Sequence, residues 1–279
     1  LAQAWEVLQA QHIQGEALQV DSNRLAFADP EFLLRRETRG IRFQLEMLKP
    51  DLAQQERGIE HTVVVFGSAR FRSEQDAQEQ LREAQASGDA SAVARAQTLL
   101  KNARYYEMAR AFGRRVAEHN HSQIKAEQMF VCTGGGPGIM EAANRGAQEA
   151  GGISVGLNIA LPHEQDPNPY ITPGLSFKFH YFALRKMHFL LRARSVAIFP
   201  GGFGTFDEMF ELLTLIQTGK VKPIPVMLFG RAFWEDVVDF QALVDHGVIA
   251  ERDLSLFQYV ETAEEAWAHV RTFYEADSL

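Results

Sequence analysis

The chain of 279 residues has one cysteine, Cys132. A disulfide needs two cysteines and a cysteine zinc site needs more, so neither framework is available. That economy suits a reducing cytoplasm. Basic residues are also in short supply: 28 Lys and Arg stand against 36 Asp and Glu, a net charge of -8. Neutralising a nucleic-acid backbone requires the opposite balance, so general nucleic-acid binding is excluded while a local site for one small phosphate is not. No apolar run approaches ~18 residues, and the first residues lack the apolar core of a signal peptide, so no transmembrane helix or membrane partner is expected. A cytoplasmic location follows as an expectation. Two nucleotide signatures are missing too. No Gly-Lys-Ser/Thr follows a glycine loop, which excludes a P-loop, and no Gly-x-Gly-x-x-Gly spacing leads to an acid on a following strand, which disfavours a redox dinucleotide enzyme.

What is present is an ordinary apolar fraction of 46%, enough for a core in one large domain or one domain with an appendage. Residues 1–60 read as a helical extension. Asp29-Pro30 is a good helix start. Leu34, Ile41, Leu45 and Leu48 share one helical face, Arg35, Arg39 and Arg42 share an adjacent one, and Lys49-Pro50 should close the element. The arginine stripe reads either as a solvated flank or as arms reaching a phosphate or a neighbouring subunit.

From residue 61 to 279, short β-branched and aromatic runs alternate with helical patterns. Strands are expected at 62–66, 129–133, 153–157, 177–179, 196–199, 224–229 and 257–260. A polar, alanine-rich helix pair from 74 to about 120, broken at Ser87-Gly88-Asp89, is longer than a crossover needs, so part of it, near 73–105, reads as a helical insertion projecting from the core. The prolines between Ala160 and Gly174 mark a surface loop, a lid or an interface. The alternation predicts an α/β protein with a Rossmann-like, doubly wound, mostly parallel sheet. Right-handed crossovers then gather the strand C-terminal ends at one edge.

That edge carries the chemistry. Apolar residues through Phe199 end at Pro200, and Gly201, Gly202, Phe203, Gly204 and Thr205 lead into a helix with Glu208 in it. A strand, a glycine turn and a helix N-terminus make an anion site, because unpaired N–H groups and the helix dipole converge there. A second glycine loop, Gly134-Gly135-Gly136-Pro137-Gly138, follows another strand. Thr205-x-x-Glu208 also has the spacing of a capping box, so Glu208 reads either as a cap partner or as a catalytic carboxylate. Arg185-Lys186 reads as surface charge or as the positive lining of the site. His180 and His188 read as non-metal residues, and no metal site is expected.

Together these residues resemble the LOG (Lonely Guy) family. Residues 200–208 match its PGGxGTxxE signature and Arg185-Lys186 its upstream Arg-Lys pair, while residues 134–142 resemble its GGGxxGxM segment and Gly67-Ser68 its first phosphate-side loop. The helical extension and insertion are similar to the longer bacterial branch. The resemblance implies a cytokinin riboside 5'-monophosphate phosphoribohydrolase or, more broadly, an N-glycosidase of nucleoside 5'-monophosphates such as AMP, working without a cofactor. It implies Glu208 and Arg185 as catalytic residues. Gly201, Gly202, Gly204, Thr205, Ser68, Gly67 and Lys186 would lie at the phosphate and ribose, and Gly134, Gly135, Gly136 and Met140 at the ribose and base. Members often carry the label lysine decarboxylase without that activity; no lysine here is singled out for pyridoxal phosphate. Phe182 and Phe189 stand where short members often have methionines, which implies an altered base pocket. A homodimer or larger homo-oligomer is expected, with the interface near 180–195 and 205–218. The alternative is a non-catalytic carrier of a phosphorylated cofactor such as molybdenum cofactor.

Overall fold

The computed structural model of the chain describes residues 25–161 and 166–276. They fall into two compact units, one through Leu48 and one from Lys49. In the first, Asp29 and Pro30 start a helix as their chemistry dictates. The Asp29 carboxylate accepts the Phe32 N–H, and proline occupies a first-turn position whose own N–H would lack a partner. This helix, α1 (Pro30–Leu34), is short, because the Thr38 hydroxyl and the Arg42 guanidinium take up its last carbonyls at Leu33 and Arg35. Arg42 is thus a cap, not an outstretched arm. The expected stop at Lys49-Pro50 does not occur. Helix α2 (Arg39–Glu56) runs through Pro50, and the Gln54 side chain donates to the Pro50 carbonyl at 3.1 Å.

The second unit is built on a seven-stranded parallel sheet. Its strands are β1 (His61–Phe66), β2 (Met129–Thr133), β3 (Ser154–Ile159), β4 (Ser176–Phe179), β5 (Ala193–Ile198), β6 (Val226–Phe229) and β7 (Gln258–Val260). Their spatial order is β4-β3-β2-β1-β5-β6-β7, with every neighbouring pair parallel. The β-branched residues of β1 alternate between two apolar layers. Val63 and Val65 face Tyr106 and Phe112 of α4 (Ala90–Asn120), Ile139 of α5 (Ile139–Glu149) and Trp267 of α10 (Ala263–Ala276). Val64 and Phe66 face Phe189 of α6 (Phe182–Leu191), Met209 and Leu212 of α7 (Phe203–Gln217) and Trp234 of α8 (Arg231–Val237).

The helical insertion is present. Ser73 caps α3 (Glu74–Ser87), Gly88 ends it with φ +70°, and Asp89 caps α4. Residues 231–245 form two helices: α8 stops at Val238, and Asp239 caps α9 (Phe240–Asp245). The proline-containing surface loop is tied down from Asn168 onward. The Asn168 side chain donates to the Gly135 and Gly136 carbonyls and to Asn144 Oδ1, and the Thr172 hydroxyl accepts the Ser154 N–H. That half of the loop is pinned to the sheet.

The winding positions the site. From β1 the chain steps through β2 and β3 to β4, then returns to the other side of β1 to build β5, β6 and β7. The loops leaving β1 and β5 therefore diverge and open a crevice at the strand C-terminal ends, the topological switch point of a doubly wound sheet.

Candidate functional site

The loops after β1 and β5 form the floor of this crevice and are tied to each other by the Ser68 N–H, which donates to the Pro200 carbonyl at 3.0 Å. A cavity of about 1250 Å³ lies above them. Gly67, Ser68, Gly201, Gly202, Gly204 and Thr205 all line it, and so do Arg185, Glu208, Gly134 and Met140.

The N-cap of α7 is Gly202, and the first turn contains no acid. Phe203, Gly204 and Thr205 are the first three helical residues, so their N–H groups have no intrahelical acceptor and face the crevice mouth. Thr205 is inside the helix, not at its cap, and no side chain caps this end. The capping-box reading of Glu208 therefore fails: the box requires a hydroxyl at the N-cap, and glycine is there.

None of the three glycines of the turn has a positive φ. A Cβ on Gly201 would lie 2.2 Å from the Thr205 hydroxyl oxygen, so packing accounts for that glycine. Cβ atoms on Gly202 or Gly204 would meet nothing within 4 Å. Nothing in the chain itself demands glycine at those two positions; they border open cavity.

Glu208 and Arg185 form the polar centre. Arg185 reaches from α6 with its side chain 10% exposed; Glu208 reaches from α7 at 14%. Arg185 Nη1 stands 3.5 Å from Glu208 Oε1, a loose contact. The guanidinium is fixed by other groups: Nε donates to the Leu157 carbonyl at 2.7 Å, and the charge lies 5.0 Å from the Phe189 ring centroid. A Cβ on Gly134 would come within 2.4 Å of Arg185 Nη2, so the glycine after β2 is what lets the guanidinium pass. Burial is the leading influence on both charges. It holds Arg185 below its ordinary range despite Glu208, and raises the Glu208 carboxyl to about 7 despite Arg185. At 3.5 Å the attraction does not repay the loss of water around either group. Glu208 is thus poised to exchange a proton near neutral pH. Beneath this pair, burial also pushes the Cys132 thiol up to about 12, which leaves it inert.

Some expected residues lie elsewhere. Lys186 is not part of the cavity wall: its ammonium pairs with Asp207 Oδ1 at 3.1 Å and Glu211 Oε2 at 2.8 Å on α7. Gly135 and Gly136 do not line it either, since their carbonyls are turned to Asn168. Phe189 is buried under Arg185 and Phe182 is half-exposed; neither lines the cavity, so the departure at these positions bears on the seat of Arg185.

Other contributors had no motif to announce them. Thr133, Asn144, Ser154 and Asn168 form a buried hydrogen-bonded chain, with Thr133 to Asn144 at 2.7 Å and Asn144 to Ser154 at 2.9 Å, that fixes the 134–136 turn. Arg70, Lys101, Arg104 and Tyr105 supply the wall opposite α7. Arg70 closes the Gly67-Ser68-Ala69-Arg70 loop, which was a signal; the side of α4 that meets the crevice was not legible in a helix whose first half mixes alanines with polar residues. Among the described residues no group of three His, Cys, Asp or Glu is placed to hold a metal ion, and no helix is long and apolar enough to cross a membrane.

Comparison with known proteins adds the following. Residues 140–270 match the family described as "possible lysine decarboxylase". The pyrimidine/purine nucleotide 5'-monophosphate nucleosidase of Escherichia coli K12 is 28% identical over 138 residues, 46% of this chain and 29% of that protein, and its counterpart in strain O157:H7 aligns equally. The chain thus spans less than a third of the length of these relatives. Among solved structures, the molybdenum cofactor carrier protein of Chlamydomonas reinhardtii aligns at 18% identity and TM-score 0.45, covering 77% of this chain and 99% of that one. The molybdenum cofactor binding protein of Rippkaea orientalis aligns at 15% and 0.44, covering 76% and 95%. These two likenesses are of fold alone.

Proposed function

Since this chain belongs to the LOG family, the one described as possible lysine decarboxylase, we propose that it hydrolyses the N-glycosidic bond of a nucleoside 5'-monophosphate. The observation that carries the proposal is the buried Arg185–Glu208 pair in a cavity at the switch point, beside a glycine turn that opens α7. In this reading residues 61–279 are the catalytic domain and residues 1–60 an extension of it.

The first-turn N–H groups of α7, with the Thr205 hydroxyl, hold the 5'-phosphate, a dianion that the helix dipole favours. Gly202 and Gly204 give the phosphate oxygens room to approach the backbone. Gly67 and Ser68 flank it from the β1 loop. The ribose then lies over Glu208. Water adds to C1' as the C1'–N bond breaks; the base leaves with the bonding electron pair and takes up a proton, giving free base and ribose 5-phosphate. The transition state resembles an oxocarbenium ion, and a carboxylate beside C1' stabilises that charge or orients the water. Arg185 positions the ribose and draws Glu208 toward its ionised form. AMP and a cytokinin riboside 5'-monophosphate share this ribose-phosphate end, and both are within the proposed substrate class.

A carrier for a phosphorylated cofactor would use the same turn without turnover. The buried pair favours the enzyme, because a carrier has no need of a carboxyl titrating near neutral pH against an arginine. Incubation with a panel of nucleoside 5'-monophosphates, followed by chromatography of free base, separates the two: an enzyme releases base, and a carrier returns its ligand intact. The proposal also includes self-association through α6 and α7; on α6, Phe182, Met187 and Leu191 are each about half-exposed.

A further inference from the structure

One phosphate is served by the α7 turn, and the opposite wall of the same cavity carries positive charge that this leaves unused. Arg70 follows the β1 loop. Lys101 and Arg104 stand three residues apart in α4, which puts them on one helix face. All three line the cavity that holds Arg185 and Glu208. In a chain with more acids than bases, several other arginines of the unit meet acids: Arg110, Arg114 and Arg145 share Glu149, Arg192 meets Asp51, and Arg231 meets Glu235. Arg70, Lys101 and Arg104 make no ion pair among the described residues.

One of these cations is also held in place. The Arg104 guanidinium lies 4.7 Å from the Tyr105 ring centroid and donates to its hydroxyl at 2.8 Å. Tyr105 is itself buried and stacks on Phe71, the neighbour of Arg70, with ring centroids 5.8 Å apart. The aromatic stack therefore anchors Arg104 at the cavity wall, and Arg70 follows the loop beside it. The cavity's 1250 Å³ also exceeds the ~300–1,000 Å³ usual for small-ligand pockets. There is room beyond a nucleoside monophosphate, and the three cations line the cavity that provides it.

We propose that Arg70, Lys101 and Arg104 form a second phosphoryl-binding subsite, so that the cavity takes a 5'-phosphate at the α7 turn together with a second phosphoryl group. Guanidinium forks and an ammonium are the matching donors for such an anion. The group is either the β-phosphate of a nucleoside 5'-diphosphate or a separately bound phosphate ion. The inference rests on the nucleotide reading of the α7 turn.

Calorimetric titration of the full chain carrying Glu208→Gln, which blocks turnover, tests it. AMP, ADP, and inorganic phosphate added to AMP-saturated protein are the three titrants. The expected result is ADP binding about tenfold tighter than AMP, or phosphate binding to the AMP complex, the size of effect a charge-assisted contact gives. Adding Arg70→Gln, Lys101→Gln and Arg104→Gln should bring the ADP-to-AMP affinity ratio to about one and abolish phosphate binding. ADP no tighter than AMP, with no phosphate binding, would overturn the subsite while leaving the monophosphate reading intact. Equal weakening of AMP and ADP by the triple substitution would overturn it too, since the three cations would then hold the first phosphate. If AMP itself did not bind, the nucleotide reading and the subsite would fall together.

Discussion

Glu208 is where burial and charge compete most closely. Its folded-state pKa, about 7, lies above the ordinary 4.5. The folded chain therefore binds the proton more tightly than the unfolded one. That contribution to stability is complete below about pH 4.5 and is lost as pH rises through about 7. Glu208→Gln mimics the protonated form, and its amide oxygen can still accept from Arg185. The variant should match the parent in melting temperature near pH 5 and exceed it at pH 8, by a margin on the order of 2–3 kcal/mol. Thermal denaturation at the two pH values checks this; a variant less stable at pH 8 would mean that the ion pair outweighs its burial. Gly204 gives a second test at this scale. With nothing within 4 Å of a built Cβ and no positive φ, Gly204→Ala should leave the melting temperature unchanged or slightly raised, as alanine favours a helix. If the α7 turn holds phosphate, the same change should raise KM for AMP about tenfold or more by crowding the anion; an unaltered KM would remove Gly204 from the site. Both residues were legible in the sequence. What was not legible was which of two roles Glu208 has, because cap and catalyst share the Thr-x-x-Glu spacing and only the position of Gly202 at the N-cap separates them.

Elements were legible where pattern and local chemistry agree, and less so where tertiary contacts decide. The strands showed in their β-branched runs, and the α3–α4 break in Ser87-Gly88-Asp89. Pro50 misled because proline usually ends a helix, whereas α2 continues past it. The loop before β4 was legible only in part. Its prolines marked a surface loop, but not that Asn168 pins it through three side-chain hydrogen bonds, to Gly135, Gly136 and Asn144. Partners 24 to 33 residues away leave no periodic trace. Asn168→Ala leaves those buried acceptors short of a donor, so a stability loss of about 1–3 kcal/mol is expected in a denaturant midpoint shift. Because the 134–136 turn borders Arg185, kcat for AMP should fall alongside. A variant with parental stability would show that the network is not needed to fix the turn.

For the whole molecule, alternation alone implied the parallel sheet, and the order β4-β3-β2-β1-β5-β6-β7 puts both glycine loops and the β1 loop at one edge. The wall formed by α4 was not foreseen, since an insertion has no fixed place in a sequence pattern. Self-association belongs to this scale as well. Met187→Glu with Leu191→Glu places charge on the exposed apolar side of α6, and sedimentation should show smaller particles than the parent forms. A parent that sediments as a monomer would remove that part of the proposal. The central claim, that this cavity splits nucleoside 5'-monophosphates with Glu208 at C1', is tested most directly by incubating AMP with the purified parent and its Glu208→Gln variant and quantifying adenine and ribose 5-phosphate. The account predicts equimolar products from the parent and a rate lower by roughly 10²–10³ in the folded variant; AMP recovered intact from the parent, or equal rates from both, would contradict it.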